Sequence, residues 1–310
     1  MISHASIYGF LRTIATAVQG DPAILGIMAT PTQSPDRPRI ALDPVVRSLV
    51  QTYKEGIRGI PGLIRLKRFP EPLGEQGRYT IYMNPLDGVR AGKGWVQDGV
   101  IQTPIGPEIA THMAVFEGEG RTFGDIVASG IVCHAHLNPS QFSVMTAVKG
   151  DGVKMIGFSE VTTRFRGDKD IDMVATEFAR PINGIVPLLM RRMNKPFEVM
   201  GCPASTAVVL VKVVTEAVSV FVNNPMPHLV SDQGEAGWEL ASAWPIIREL
   251  GGAVRELVSG RMLDYIEFDP DRLYPIMAAP CAENLEHWEA FFKAGIAELP
   301  EEVITWLTRS

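Results

Sequence analysis

The chain has 310 residues, 46% of them hydrophobic and 21% charged, with a formal net charge of -6. That length suits one large domain or two lobes sharing a sheet boundary, with ample core. The acidic balance excludes a general nucleic-acid binder, whose phosphate contacts require clustered Lys and Arg. It is also expected to be no membrane protein, because Lys212 and Glu216 interrupt its best apolar run, "STAVVLVKVVTEAVSVFV".

Residues 5–19 are predicted as an amphipathic helix, since Ile7, Phe10, Leu11, Ile14 and Val18 recur at helical spacing. No signal peptide is read in this start, which lacks a basic n-region and an unbroken apolar run. A Pro-rich polar loop at 30–39 leads to a second predicted helix, "DPVVRSLVQTYKEGI". Its Asp43 suits an N-cap and its Pro44 the first helical position. From about residue 60 the texture changes to short strands. "RYTIYMN" alternates and is rich in β-formers. The stretch 108–158 contains several strand-like runs parted by "GEGR", "NPSQ" and "KGDG", which predict an antiparallel sheet with hairpin turns.

Beyond about 180 helix and strand alternate. "INGIVPLLMRRMN" is predicted helical, and "FEVMGCPAS" is a strand entering a loop. "STAVVLVKVVTEAV" is a helix with Ser205 as its N-cap. "WELASAWPIIRELGGAV" is a helix stopped by a Gly pair and followed by a strand. "LYPIMAAP" is a buried strand, and "AENLEHWEAFFKAGIAEL" a closing helix. The expected class is α/β, with an N-terminal α+β part at 1–180 and a C-terminal α/β part at 181–310.

Two segments carry the chemistry. The first is Asn84-Pro85-Leu86-Asp87-Gly88-Val89, after a hydrophobic strand. The second is Trp238-Glu239-Leu240-Ala241-Ser242, on a helix that ends in Arg248-Glu249-Leu250-Gly251-Gly252. Together, in this order, they resemble the inositol monophosphatase superfamily, which includes fructose-1,6-bisphosphatases and bisphosphate nucleotidases. That family reads Asp-Pro-Ile/Leu-Asp-Gly-Thr at the first place and Trp-Asp-x-Ala-Ala/Gly at the second. "VMGCPASTAVVLVKVV" is similar to the family's Gly-Ser-Ala-Ala segment and buried helix, and the likeness spans roughly 40–290.

The resemblance implies a layered α/β sandwich, a phosphorylated small-molecule substrate, a homodimer, and Mg²⁺ held by hard oxygen ligands. The implied metal positions are Asn84, the Leu86 carbonyl, Asp87 and Glu239. Asp43, Asp87 and Glu239 stand as catalytic candidates, and Ser205 and Asp232 as substrate contacts. The chain departs from the family in four places. Asn84 replaces a charged ligand, Glu239 is one methylene longer than Asp, and Val89 lacks the hydroxyl that orients water. Arg65, Lys67 and Arg68 lie where an upstream Glu belongs, with Glu71 and Glu75 nearer the motif as stand-ins if the loop were shortened.

The expected consequence is a site poorer in negative charge, with two-metal phosphomonoesterase activity weakened or lost. Cations would then take the place of metals: Arg65 and Lys67, with Arg90 and Lys93 of "GVRAGKG" as phosphate or carboxylate contacts. A metal-free enzyme of another reaction class and a non-catalytic ligand-binding protein both remain open. Apart from this site, His134 and His136 would share a strand face, with His112 on a neighbouring strand as a further candidate for a transition metal. The basic clusters "RFRGDKD" and "RRMNK" read as solvated faces. Cys133, Cys202 and Cys281 fit no zinc or disulfide spacing and suggest a reducing cytoplasm. Cys202 is a minor nucleophile candidate.

Overall fold

The computed structural model describes residues 2–20, 60, 62–67, 71–87, 96–97, 100–101, 110–133, 143–156, 172–176, 184–191, 197–201, 205–214, 218–230 and 233–308. Asp43, Arg68, Val89, Arg90, Lys93, His134, His136, Cys202 and Asp232 lie outside them, as do the helix expected after Asp43 and most of the two basic clusters.

The chain opens with helix α1 (His4–Gly20). A six-stranded sheet follows, built from β1 (Gly62–Leu66), β2 (Tyr79–Asp87), β5 (Ala110–Glu117), β6 (Ile126–Cys133), β7 (Ser143–Val148) and β8 (Gly152–Ile156), adjacent in that order. The short strands β3 (Val96–Gln97) and β4 (Val100–Ile101) pair with each other. The large sheet is antiparallel, as its hairpin signals predict, except at its edge, where β1 runs parallel to β2. A hairpin cannot join parallel strands, so the segment between them has to cross back.

The second sheet is mixed. It holds β9 (Asp172–Thr176), β10 (Phe197–Gly201), β11 (Val220–Val222), β13 (Ala253–Glu256) and β15 (Ile276–Ala279), in the order β10-β9-β11-β15-β13. Helix α2 (Ile185–Met190) lies between β9 and β10 in the chain, and α3 (Thr206–Val211) between β10 and β11. The small pair β12 (Glu235–Ala236) and β14 (Leu273–Tyr274) flanks α4 (Gly237–Glu249). Helices α5 (Ala282–Ala297) and α6 (Glu301–Thr308) close the chain, split at Pro300. The expected strand "LYPIMAAP" is broken at Pro275, which has no N–H to give a ladder. Helix α3 is shorter than the sequence suggests and tightens into a 3₁₀ turn at Lys212–Val214.

Three apolar clusters show how the layers stack. Ile7, Phe10, Leu11 and Ile14 of α1 pack on Ile81, Met83, Met113 and Val115, which share one face of the first sheet. The other face, with Ala114 and Phe116, meets α3 and α4, and these helices also cover Ala175, Phe221 and Ala278 of the second sheet. The far side of that sheet, with Val174, Val220 and Met277, is covered by α2 and α5. The period-2 alternation of the strands therefore feeds two different cores. The result is a layered sandwich in the order α, β, α, β, α. No helix among the described residues is long and apolar enough to cross a membrane.

Candidate functional site

The central α3/α4 layer meets the first sheet at the C-terminal end of β2. Asn84 pairs in register with His112 of β5, but Asp87 pairs with Ala110, so three steps on β2 match two on β5. One extra residue is thus inserted at Pro85-Leu86, the β-bulge that a proline tolerates. Without it, Asn84 and Asp87 would point to opposite faces of the sheet. With it, both side chains turn to the face that carries His112, toward α4. The Thr111 hydroxyl donates to the Pro85 carbonyl at 2.7 Å and ties the bulge to β5.

Helix α4 brings the second segment to the same place. Its Gly237 touches the 269–270 backbone so closely that a Cβ there would stand 2.1 Å from the Asp269 carbonyl oxygen. The Gly237 and Trp238 amides donate to the carbonyls of Arg272 and Pro270 at 3.1 and 3.3 Å. Trp238 packs edge-on against Tyr82 of β2, with ring centroids 5.6 Å apart, and its indole N–H donates to Asp271 at 3.1 Å. These contacts pin the first turn of α4, and with it Glu239, over β2. The helix ends at the expected Gly pair, where Gly251 takes φ +84°, a conformation other residues adopt at a cost.

At the junction Lys67, just past β1, forms an ion pair with Glu239 Oε1. The Asn84 amide donates to the same oxygen at 3.3 Å. Asp87 Oδ2 lies 3.5 Å from His112 Nε2, beyond good hydrogen-bond distance. On the other side of the ring, His112 Nδ1 and the Ser242 hydroxyl are 2.8 Å apart, and that hydroxyl donates to the Trp238 carbonyl at 3.1 Å. Burial pushes the Asp87 carboxyl up. His112, Lys67 and the Ser205 hydroxyl more than offset this and hold it below the usual carboxylate value. Ser205 occupies the N-cap position of α3, as expected, but its side chain makes no capping bond.

Of the sequence candidates, Asn84, Asp87 and Glu239 are thus brought together, with Ser205 beside Asp87. The Leu86 backbone lies within the bulge. Arg65 is exposed on β1, opposite Tyr82, three residues of register before the bulge. Cys133 is a buried residue whose thiol burial pushes up to about 12, far from a reactive thiolate. His112, considered only with His134 and His136, instead faces Asp87. Ser242 was not a candidate at all. Its signal is its place four residues after Trp238 and three after Glu239 on one helix, hence on one face.

The fit of the metals that the resemblance implies follows from these groups. A pair of Mg²⁺ ions needs hard oxygen ligands and several negative charges. The described residues here offer two carboxylates, an amide whose N–H is directed at Glu239, an imidazole, and an ammonium already on Glu239. This donor set does not fit a Mg²⁺ pair.

No family model matches the chain, and no curated protein matches it in sequence. Solved structures do match. A hypothetical protein from Pyrococcus horikoshii with similarities to inositol-1 monophosphatase is 15% identical, with 94% of this chain and 98% of that chain covered and a TM-score of 0.58. The inositol monophosphatase of Anabaena is 14% identical, with 95% and 96% covered and a TM-score of 0.54. The fructose-1,6-bisphosphatase of Leishmania major is 11% identical, with 94% of each chain covered and a TM-score of 0.61. This chain has the inositol monophosphatase and fructose-1,6-bisphosphatase fold.

Proposed function

We propose that this protein takes a phosphorylated or otherwise anionic small molecule where β2, β5 and α4 meet, and that two-Mg²⁺ phosphomonoesterase activity has been weakened or lost. The observation that carries the reading is the Lys67 ammonium on Glu239. It puts a fixed side-chain charge where the resemblance implies a carboxylate and a metal. A compact ammonium attracts a phosphate as a point charge, and Arg90 and Lys93, which follow the bulge in sequence, are proposed as further contacts. Asp232 and Ser205 are proposed to face the ligand, and Asp43 to stand near it. A homodimer and a cytoplasmic home belong to the same reading, supported by the resemblance and by cysteine usage.

A second reading has its own observation. Asp87 and His112, a carboxylate and an imidazole 3.5 Å apart, form the kind of pair that relays a proton. The junction then supports acid–base chemistry of another class without Mg²⁺.

The deciding experiment measures phosphate release from a panel of sugar and inositol phosphates with Mg²⁺, alongside thermal shifts with the same compounds. Ligand-induced stabilisation with little or no release supports the proposal. Rapid Mg²⁺-dependent release sinks it. Conversion of a bound ligand without phosphate release selects the acid–base reading.

A further inference from the structure

The hydrogen atoms around His112 can be followed one by one. Ser242 has a single hydroxyl hydrogen, and the Trp238 carbonyl receives it. The hydroxyl can therefore only accept from His112 Nδ1, which places the ring hydrogen on Nδ1. In the neutral ring, Nε2 is then a bare lone pair, and it faces the carboxylate oxygen Asp87 Oδ2. His112 is wholly buried and Glu239 is 5% exposed. His112 Nε2, Asp87 Oδ2 and Glu239 Oε2 are each buried without a hydrogen-bond partner. One ligand atom from each of these three residues lies within 4.8 Å of those of the other two.

Lone pairs without a donor are costly to bury, and acceptor groups gathered this closely repel one another. A proton on His112 Nε2 relieves the contact with Asp87 but leaves Glu239 Oε2 without a donor, whereas a metal cation shared by the three residues removes both costs. Nδ1–H held by a neighbouring oxygen is also how a metal-binding histidine is fixed in tautomer and orientation. The 3.5 Å between Asp87 Oδ2 and His112 Nε2 matches the edge, about 3.4 Å, of a tetrahedron with bonds of about 2.1 Å. An imidazole with two carboxylates suits a borderline ion such as Zn²⁺ or Co²⁺ better than Mg²⁺, which prefers oxygen throughout.

We propose that Asp87, His112 and Glu239 bind one transition-metal dication of the Zn²⁺ or Co²⁺ type. Glu239 bridges it to Lys67, with Oε1 on the ammonium and Oε2 on the ion. Unloaded, the two carboxylates and Lys67 sum to about one negative charge. Loaded, they sum to about one positive charge, which favours an anionic ligand at the fourth position. The site rests on these three side chains and not on the choice of small molecule, so it can fail or stand apart from the proposed function.

The test uses the full chain, stripped with a chelator and titrated with Zn²⁺ by calorimetry and with Co²⁺ by visible absorption, with no phosphorylated compound present. The expected result is one equivalent of either ion, tetrahedral-type Co²⁺ bands, and no displacement by millimolar Mg²⁺. Glu239→Gln, which keeps the side-chain shape, should weaken binding by at least about 100-fold. His112→Asn should weaken it as much and abolish the Co²⁺ bands. If His112→Asn fails to fold, Glu239→Gln carries the test alone. No stoichiometric binding by the native chain, or unchanged binding in Glu239→Gln, overturns the proposal.

Discussion

Lys67 and Glu239, 172 residues apart in sequence, form an ion pair that joins the end of β1 to the first turn of α4. The pair couples the edge strand of the first sheet to the helix layer shared by both sheets. It also makes Glu239 a junction, because Asn84 donates to the same oxygen, Oε2 is buried without a hydrogen-bond partner, and the carboxylate lies beside Asp87 and His112.

Breaking that pair from one side should be costly. The Lys67 side chain is 20% exposed and that of Glu239 only 6%, so Lys67→Met strands a carboxylate with little access to water. A loss of about 3 kcal/mol is expected, at the lower end for a broken buried pair because Lys67 keeps some solvent. Denaturant unfolding of both single variants and of Lys67→Met/Glu239→Gln checks it. The double variant should lose less than the sum of the two singles.

The buried Lys212 gives a pH prediction. Burial lowers its ammonium to about 8, against an ordinary 10.5. Between these values the unfolded chain binds a proton that the folded chain has released, so this group makes stability rise with pH from about 8. The buried Cys133 thiol, raised to about 12, works the opposite way once the unfolded thiol ionises near 9, and Tyr274, also raised to about 12, does so from near pH 10. The net rise should therefore fall between about pH 8 and 9 and amount to about 1.4 kcal/mol. Lys212→Met should show no rise from about pH 8 to 9. A native profile that is flat there would refute the assignment.

The two glycines Gly237 and Gly9 should respond with opposite signs. A methyl group at Gly237 would strike the Asp269 carbonyl, so Gly237→Ala must push the start of α4 outward. A loss of about 2 kcal/mol is expected, together with weaker ligand binding as Glu239 moves. Nothing lies within 4 Å of a Cβ at Gly9, inside α1, so Gly9→Ala should stabilise by about 0.5–1 kcal/mol. Thermal unfolding of both variants separates a steric effect from a general intolerance of the change.

Much of this was legible in the sequence, and the limits have physical causes. The helix at α1, the Gly stop after α4 and the antiparallel run from β5 to β8 follow from spacing and turn residues that act locally. The resemblance carried by residues 84–89 and 238–252 pointed to the layered fold and to Asn84, Asp87 and Glu239. It could not show that the bulge swings Asp87 to the face of Asn84, because that depends on register against β5. The same register puts His112 opposite Asn84, a pairing across strands that no spacing within one strand encodes. Three basic side chains stood where a carboxylate belongs, but only packing against α4 shows that Lys67 meets Glu239.

Restoring the missing charge tests how far Lys67 and Asn84 define this site. Lys67→Glu together with Asn84→Asp puts four carboxylates at the junction and removes the ammonium that neutralises Glu239. Without metal this variant should unfold at a lower temperature than the native chain, since close carboxylates repel. Mg²⁺ should then raise its midpoint, by about 2.7 kcal/mol of stability at a hundredfold excess over Kd, and leave the native chain unchanged. Phosphate release should stay low even so, because Val89 still supplies no hydroxyl to orient water. Adding Val89→Thr is the step expected to raise it. Thermal unfolding across a Mg²⁺ series, read beside phosphate release, separates the two lesions: a Mg²⁺-dependent midpoint without turnover locates the charge defect at Lys67 and Asn84, whereas a midpoint indifferent to Mg²⁺ places it elsewhere.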